Sequence, residues 1–401
     1  MKLLCLSNGH GEDTIALRIL QELQHHPAQP ELAALPIVGE GTAYTQHNIP
    51  LAGHVQTVPS GGFIYMDGRQ LARDLRGGLL KLTRMQLRTA RNWAKTGGVI
   101  LAVGDIVPLL FAWWSGAPYA FVGTAKSEYY LRDEQGMLPR RSWFERLESW
   151  SGSVYLPWER WLMHHPRCRA VFPRDRLTTL ILKRWNLPVY DLGNPMMDGL
   201  EATESPFAVD APEDYPLLTL ALLPGSRVPE AYQNWQVILQ AVAALIRAFP
   251  NKTLLLLAAI APNLDRAELR HHAESMGWRI NTITPQNTAP QNTTDLWLTQ
   301  YRTTLVLTPS FNTCLHQADF AIAMAGTATE QFVGLGKPVI TIPGQGPQFT
   351  PAFAEAQTRL LGPSISLVDS PTAVVRAVQS LLADPDRLQL IARSGRTRMG
   401  E

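Results

Sequence analysis

Residues 320–331, FAIAMAGTATEQ, begin as an apolar run and break at a glycine. A short apolar run of this kind is typical of a strand buried in a parallel sheet. After Gly326 the chain offers Thr327 and Thr329 as caps for a helix that is expected to end at 336–338, GKP. A strand, a glycine turn and the amino end of a helix form an anion site, because free N–H groups and the helix dipole point at the ligand. The alternative is an ordinary strand–helix turn that binds nothing.

The same strand–turn–helix unit recurs along the chain in both directions from this stretch. Buried strands are predicted over 2–6, 99–103, 119–122, 217–223, 253–260 and 304–307. Their alternation with helices predicts an α/β fold of two Rossmann-like parallel-sheet domains whose strand ends face a central cleft. We expect a first domain over 1–200, an acidic and proline-containing linker over 201–215, a second domain over 216–370, and C-terminal helices over 371–401.

The composition bounds the class of protein. Hydrophobic residues make up 45% of the 401 residues and charged residues 17%, which fits a globular chain with two cores. The net charge of +2 is too small to indicate a nucleic-acid partner. The three cysteines are far apart in sequence, so they predict neither a metal site nor a disulfide framework, and they favour a reducing cytoplasm. No apolar run approaches the length of a membrane span.

A second phosphate-binding turn is predicted in the second half. Gly225, Ser226 and Arg227 directly follow the apolar run 217–223. Arg227 can bind a phosphate in bidentate geometry, although a surface salt bridge is the alternative. Together with the turn at Gly326, this turn predicts a site for a diphosphate.

The first half supplies titratable groups at equivalent turns. His10, Glu12 and Asp13 follow the first strand, and Asp105 follows the strand over 99–103. His10 is either a catalytic base or a structural turn residue, and Asp105 is either a base or the cap of the next helix. A diphosphate on one side and an acid or base on the other predict group transfer from a nucleotide-activated donor.

Two features predict contact with an anionic membrane surface. The helix over 79–95 carries one basic stripe, formed by Lys81, Arg84, Arg88, Arg91 and Lys95. Six of the eleven tryptophans fall between Trp113 and Trp161, and residues 143–163 are the candidate surface for a lipid-like acceptor. A solvated helix face and plain core packing are the respective alternatives.

Several motifs resemble those of bacterial lipid-A-disaccharide synthase. Residues 222–227, LLPGSR, followed by Glu230, resemble the signature of its second domain. Residues 326–329, GTAT, are similar to its donor-site motif, and 193–198, GNPMMD, to the segment that closes its first domain. The acidic motif differs, because only Asp105 stands where that family has two aspartates.

The resemblance implies a GT-B glycosyltransferase that needs no cofactor and no metal. It would transfer a hexose or N-acetylhexosamine from a UDP-sugar, with inversion, to a lipid-linked or glycan acceptor at the inner face of a membrane. It also implies that the C-terminal helices pack back on the first domain. Asp105 would be the base, with His10 as the competing candidate. The predicted donor site consists of Gly225, Ser226, Arg227, Gly326, Thr327, Ala328, Thr329, Glu330, Gln331 and Gln348. The predicted N-terminal glycine loop consists of Gly9, Gly11, Glu12 and Asp13.

Two other functions remain open from the sequence. A UDP-sugar epimerase on the same fold would isomerise its substrate without an acceptor. A non-catalytic nucleotide-sugar-binding protein would bind UDP but would neither transfer nor hydrolyse the sugar.

Overall fold

The structure is a computed structural model that describes residues 1–55, 79–139, 150–201, 207–209, 211–281, 295–346 and 349–400, without the side chains of His10, Leu79 and Leu80. It divides into two compact units: unit 1 is Met1–Asp198 with Gly400, and unit 2 is Gly199–Met399 with Glu401. Residues 202–206 and 210 of the predicted linker, and Gln348 of the predicted donor site, lie outside the described residues. Among the described residues, no helix combines the length and hydrophobicity that crossing a bilayer requires.

Unit 1 contains a five-stranded parallel sheet in the order β2-β1-β3-β4-β7, with a small antiparallel β5–β6 pair beside it. Its elements are β1 (Lys2–Ser7), α1 (His10–Gln24), β2 (Glu31–Pro36), α2 (Thr42–Gln46), α3 (Leu79–Lys95), β3 (Val99–Gly104), α4 (Ile106–Ser115), β4 (Tyr119–Gly123), β5 (Arg132–Asp133), β6 (Gly136–Met137), α5 (Pro157–His164), β7 (Cys168–Pro173) and α6 (Arg176–Lys183). The strands are almost continuously apolar because helices cover both faces of a parallel sheet. Leu4, Leu6, Leu35 and Ile100 are buried in its core.

Unit 2 contains an eight-stranded sheet in the order β10-β11-β12-β9-β8-β13-β14-β15, parallel from β12 to β15 and antiparallel at the β10–β11–β12 edge. Its elements are β8 (Leu217–Leu223), α7 (Glu230–Ala248), β9 (Thr253–Ala259), α8 (Arg266–Ser275), β10 (Arg279–Ile280), β11 (Leu296–Gln300), β12 (Thr303–Thr308), α9 (Phe311–Gln317), β13 (Phe320–Ala323), α10 (Thr327–Gly334), β14 (Val339–Thr341), α11 (Pro351–Leu361), β15 (Ile365–Leu367), α12 (Val374–Leu382) and α13 (Pro385–Met399).

The core of unit 2 is anchored by a tryptophan of α7. The Trp235 side chain is fully buried, and its indole N–H donates to the Leu269 carbonyl at 2.9 Å. This bond satisfies the only polar atom of the side chain, so the whole ring can pack against Leu220 and Leu256 of the sheet. Helix α7 is thereby anchored on the sheet of unit 2.

Candidate functional site

The register of unit 2 places its two predicted phosphate turns side by side. β8 and β13 are parallel neighbours, with Phe320 opposite Leu220 and Ala323 opposite Leu223. The two strands therefore end level with each other, at the edge where open α/β sheets bind ligands. The turn at Gly225 and the turn at Gly326 meet there.

One asparagine fastens the two turns together. The Asn234 side-chain amide, on α7, donates to the carbonyl of Pro224 at 3.0 Å and to that of Met324 at 3.2 Å. Asn234 is buried, so both carbonyls would otherwise lack a donor. This clamp depends on a residue outside either motif, and it was not predicted from the sequence.

Gly225 is required by its conformation and by its neighbour. Its φ is +93°, and a Cβ there would lie 3.3 Å from the Met324 carbonyl oxygen. A larger residue would strain the backbone and press the two turns apart. Ser226 and the half-buried Arg227 follow directly, and the Ser226 carbonyl accepts a hydrogen bond from the Asn263 side chain at 2.7 Å.

The amino end of α10 carries no side-chain cap among the described residues. Its N-cap residue is Gly326. The prediction that Thr327 and Thr329 cap the helix is wrong, because Thr327 is exposed and the Thr329 hydroxyl donates instead to the Ala325 carbonyl at 2.6 Å. An uncapped helix start presents N–H groups and the positive end of its dipole to an anion.

The other predicted donor residues are less exposed to solvent than Thr327. Ala328 is half-buried in the first turn of α10, whereas Glu330 and Gln331 are buried in that helix. Glu330 and Gln331 therefore pack within unit 2 rather than projecting from the turn. The roles of these residues towards a donor remain predictions.

A carboxylate of α7 fixes the loop after β14. Glu230 is buried, and its Oε1 accepts from the Phe349 N–H at 2.6 Å. A Cβ on Gly346 would overlap this carboxylate, so a larger residue there would displace the Glu230 side chain. The sequence-based argument gave Glu230 only as part of a motif, and its contact explains why a carboxylate stands three residues after Arg227.

In unit 1, Asp105 lies at the carboxyl end of β3 and caps α4. Its Oδ1 accepts from the Val107 N–H at 2.8 Å, and its Oδ2 accepts from the Asn8 side-chain amide at 3.0 Å. Burial raises the pKa of this carboxyl, against the lowering effect of those two hydrogen bonds and of Lys126. The cap alternative is therefore observed, and the role as base remains a prediction.

Asp13 is the second carboxyl with a perturbed proton affinity. It accepts from the Ser7 hydroxyl at 2.5 Å and from the Tyr44 hydroxyl at 3.4 Å. Burial raises the pKa of Asp13 to about 6, although both hydrogen bonds act to lower it. A carboxyl of this kind exchanges its proton near neutral pH.

The predicted N-terminal glycine loop is shorter than expected. α1 begins at His10, so Gly11, Glu12 and Asp13 lie in its first turn and only Gly9, with φ of +130°, precedes it. The Glu12 side chain lies over Gly104, whose Cβ position is 3.0 Å from the Glu12 Cγ. The His10 side chain lies outside the described residues, so its catalytic role stays a prediction.

A buried ion pair near Asp105 was missed by the sequence-based analysis. The Lys126 ammonium lies 2.6 Å from the Glu159 carboxylate, with side-chain exposures of 20% and 2%. Glu159 also accepts from the Leu156 N–H at 2.8 Å at the start of α5. Lys126 stands three residues after the end of β4, and this position at a strand end is the only feature of the sequence that marks it as a site residue. Its partner could not be predicted, because Glu159 is 33 residues away.

No family model matches the chain, and no curated protein matches its sequence. Solved structures are similar over its whole length. The S. aureus MnaA–UDP co-structure has 12% identity and a TM-score of 0.55, covering 100% of this chain and 92% of that one. A Listeria monocytogenes protein described as a UDP-N-acetylglucosamine 2-epimerase has 13% identity and a TM-score of 0.56 at the same coverages. MurG from Acinetobacter baumannii has 12% identity and a TM-score of 0.50, covering 98% and 94%.

These comparisons confirm the predicted fold class. At such identities the likeness establishes the fold alone, which is an α/β fold of the GT-B type with parallel-sheet units. They also overturn one prediction. Sugar transfer to a lipid acceptor, as in lipid-A-disaccharide synthase, is wrong, because UDP-N-acetylglucosamine 2-epimerases recur among the similar structures and no sequence comparison supports the synthase. The motifs that suggested the synthase lie mostly in the half predicted to bind the nucleotide, and they carry no information about an acceptor.

Proposed function

We propose that the protein is a UDP-sugar epimerase that acts at C2 of a UDP-N-acetylhexosamine. The observation that carries the proposal is the uncapped start of α10, held beside the Gly225 turn by Asn234. This arrangement suits a diphosphate, since free amide groups, a helix dipole and Arg227 converge on one edge of unit 2. Among the structurally similar proteins, one was solved with UDP and two are described as UDP-N-acetylglucosamine 2-epimerases. They support the choice of nucleotide and of reaction.

The chemistry asks for proton transfer at the carbon next to the sugar–diphosphate bond. In the first step the C1–O bond breaks with its electrons going to UDP, the C2 proton passes to a base, and a C1=C2 double bond remains. Return of a proton to the opposite face of C2, with return of UDP to C1, gives the epimer. No net oxidation occurs, and no acceptor is consumed.

Unit 1 supplies candidate groups for the two proton transfers. Burial raises the pKa of both carboxyls, Asp13 and Asp105, and it raises that of Asp13 to about 6, which suits a group that exchanges a proton near neutral pH. In unit 2, Arg227 and the α10 start would stabilise the leaving diphosphate, whose negative charge grows as the C1–O bond breaks.

A non-catalytic nucleotide-sugar-binding protein is the second candidate. It is favoured by one observation: both carboxylate oxygens of Asp105 already hold hydrogen bonds, to Val107 and Asn8. Both hydrogen bonds stabilise the ionised carboxylate and therefore weaken Asp105 as a base.

The test follows UDP-N-acetylglucosamine by proton NMR in D₂O with the full chain. We expect a second UDP-sugar to appear with deuterium at C2, and Asp105→Asn to abolish its formation. Asp191→Asn, an exposed carboxyl of the same unit, is the matched control and should leave the rate unchanged.

Binding is measured separately by thermal unfolding with UDP. Ligand at about a hundred times its Kd adds about 2.7 kcal/mol to stability. We expect UDP to stabilise the protein and Arg227→Ala to lose that stabilisation, whereas Arg279→Ala, an exposed arginine of the same unit, keeps it. Stabilisation without isotope exchange at C2 would reject the epimerase in favour of the binding protein.

A further inference from the structure

Helix α3 presents a basic face to solvent. Its five basic residues are all exposed, and the helix contains no Asp or Glu. We define the basic face as Lys81, Arg84, Arg88, Arg91 and Lys95. None of the five forms an ion pair with a described residue, in a chain whose net charge is only +2. Five positive charges are therefore concentrated on one helix, and no described carboxylate pairs with them.

Three exposed tryptophans lie on helices α4 and α5 of the same unit. Trp114, Trp158 and Trp161 are 46%, 52% and 56% exposed, and we call them the tryptophan rim. The Arg91 guanidinium lies 5.3 Å from the Trp114 ring centroid. Trp113 connects the rim, with its ring 6.1 Å from that of Trp114 and 5.4 Å from that of Trp161. Contacts thus run from the basic face through Trp114 and Trp113 to Trp161, and Trp158 precedes Trp161 by about one turn of α5.

A cleft lies where the helices α3 and α4 end. It has a volume of about 450 Å³ and is lined by Arg91, Ala94, Lys95, Ser115 and Gly116. The Arg167 guanidinium lies behind it, with Nη1 3.7 Å from the Gly116 Cβ position. This Nη1 is buried and has no hydrogen-bond acceptor among the described residues. Two cationic side chains, Arg91 and Lys95, line the cleft, which suits a phosphate group.

The combination of charges and indoles favours one kind of partner. Indole rings suit a boundary between water and hydrocarbon, because they have an apolar body and a polar N–H. Lys and Arg are attracted to the negative surface of a bilayer that contains anionic lipids. Free phosphate would explain the cleft but not the exposed tryptophans, which a hydrocarbon boundary would cover.

We infer that the basic face and the tryptophan rim dock unit 1 onto a bilayer of anionic phospholipid, with the cleft receiving a headgroup phosphate. The partner is the membrane surface itself and not a substrate. The inference does not depend on the proposed function, since the surface uses none of the residues assigned to the sugar nucleotide. It determines where the protein works, whatever reaction it performs.

The test is co-sedimentation of the full chain with phosphatidylcholine vesicles, with and without phosphatidylglycerol. We expect partition only into the anionic vesicles, weakening as salt is raised. Arg84→Gln, Arg88→Gln and Lys95→Gln are combined in one variant. Each lost charge should weaken binding about fivefold, or about a hundredfold together. The matched control removes three exposed arginines of unit 2, by Arg279→Gln, Arg376→Gln and Arg393→Gln, and should bind almost as the natural chain does.

A second variant tests the tryptophan rim. Vesicles should shift the tryptophan emission to shorter wavelength, and Trp158→Ser with Trp161→Ser should remove most of that shift while UDP still stabilises the protein. Absence of partition at low salt, or equal weakening in the unit 2 control, would overturn the inference. Tighter binding of a single-stranded oligonucleotide than of vesicles, lost in the basic-face variant, would overturn it in favour of nucleic acid.

Discussion

The Asp13 side chain has a pKa well above that of an ordinary aspartate. Its pKa rises from the ordinary value of 3.8 to about 6 because burial disfavours the carboxylate. The folded state then holds the proton more tightly than the unfolded chain does. Asp13 therefore contributes most to the free energy of unfolding below about pH 4, and this contribution is lost as the pH rises towards 6.

We predict that Asp13→Asn removes this pH dependence. The unfolding free energy of the natural chain relative to the variant should fall by about 2.4 kcal/mol between pH 4 and pH 7. Denaturant unfolding followed by tryptophan emission reports mainly on unit 1, which contains eight of the eleven tryptophans. Asp191→Asn serves as the control, and a difference that is constant with pH would show that Asp13 is ionised throughout.

At the scale of elements, α10 packs tightly against the last long helix. A Cβ on Gly395 of α13 would overlap the Val333 carbonyl oxygen of α10, and it would lie 3.2 Å from the Val333 Cγ1. The overlap is with backbone, so no side-chain rotation relieves it. Because α10 is only eight residues long, we expect a shift at Val333 to move the whole helix, including the anion site at its start.

We predict that Gly395→Ala destabilises unit 2 and weakens UDP binding together. The expected loss is about 1–3 kcal/mol from overpacking, even though alanine favours the helix by about 1 kcal/mol over glycine. Ser394→Ala on the same helix is the control and should be close to neutral. Stability and affinity are read from urea unfolding with and without UDP. A stabilised Gly395→Ala protein would mean that the two helices separate easily.

The elements that could be predicted from sequence are those whose signal is local. The apolar run 217–223 became β8 without change, and the run 99–103 became β3 with one added residue. The contacts that assemble the site were not predictable in this way. Asn234 reaches Met324 across 90 positions, and Lys126 reaches Glu159 across 33. Nothing in the neighbouring sequence encodes such a partner, because tertiary packing alone brings it near.

At the scale of the whole molecule, each unit has its own sheet, its own core and its own polar edge. The uncapped α10 start belongs to unit 2, and the two carboxyls proposed to transfer protons, Asp13 and Asp105, belong to unit 1. This division predicts that the nucleotide alone engages only one of them. The amides of residues 327–329 should be the most affected, because a diphosphate would accept hydrogen bonds that the helix itself does not use.

We predict that UDP slows hydrogen exchange over 223–227 and 323–331 and leaves 8–13 and 103–107 unchanged. The measurement is exchange mass spectrometry on the full chain, with ADP as the nucleotide control and Arg227→Ala as the variant that should lose protection. UDP-N-acetylglucosamine should extend protection to unit 1, because its sugar adds the part on which the carboxyls are proposed to act. Protection by UDP confined to 8–13 would instead place the diphosphate at Gly9 and the start of α1, and the assignment of roles to the two units would have to be reversed.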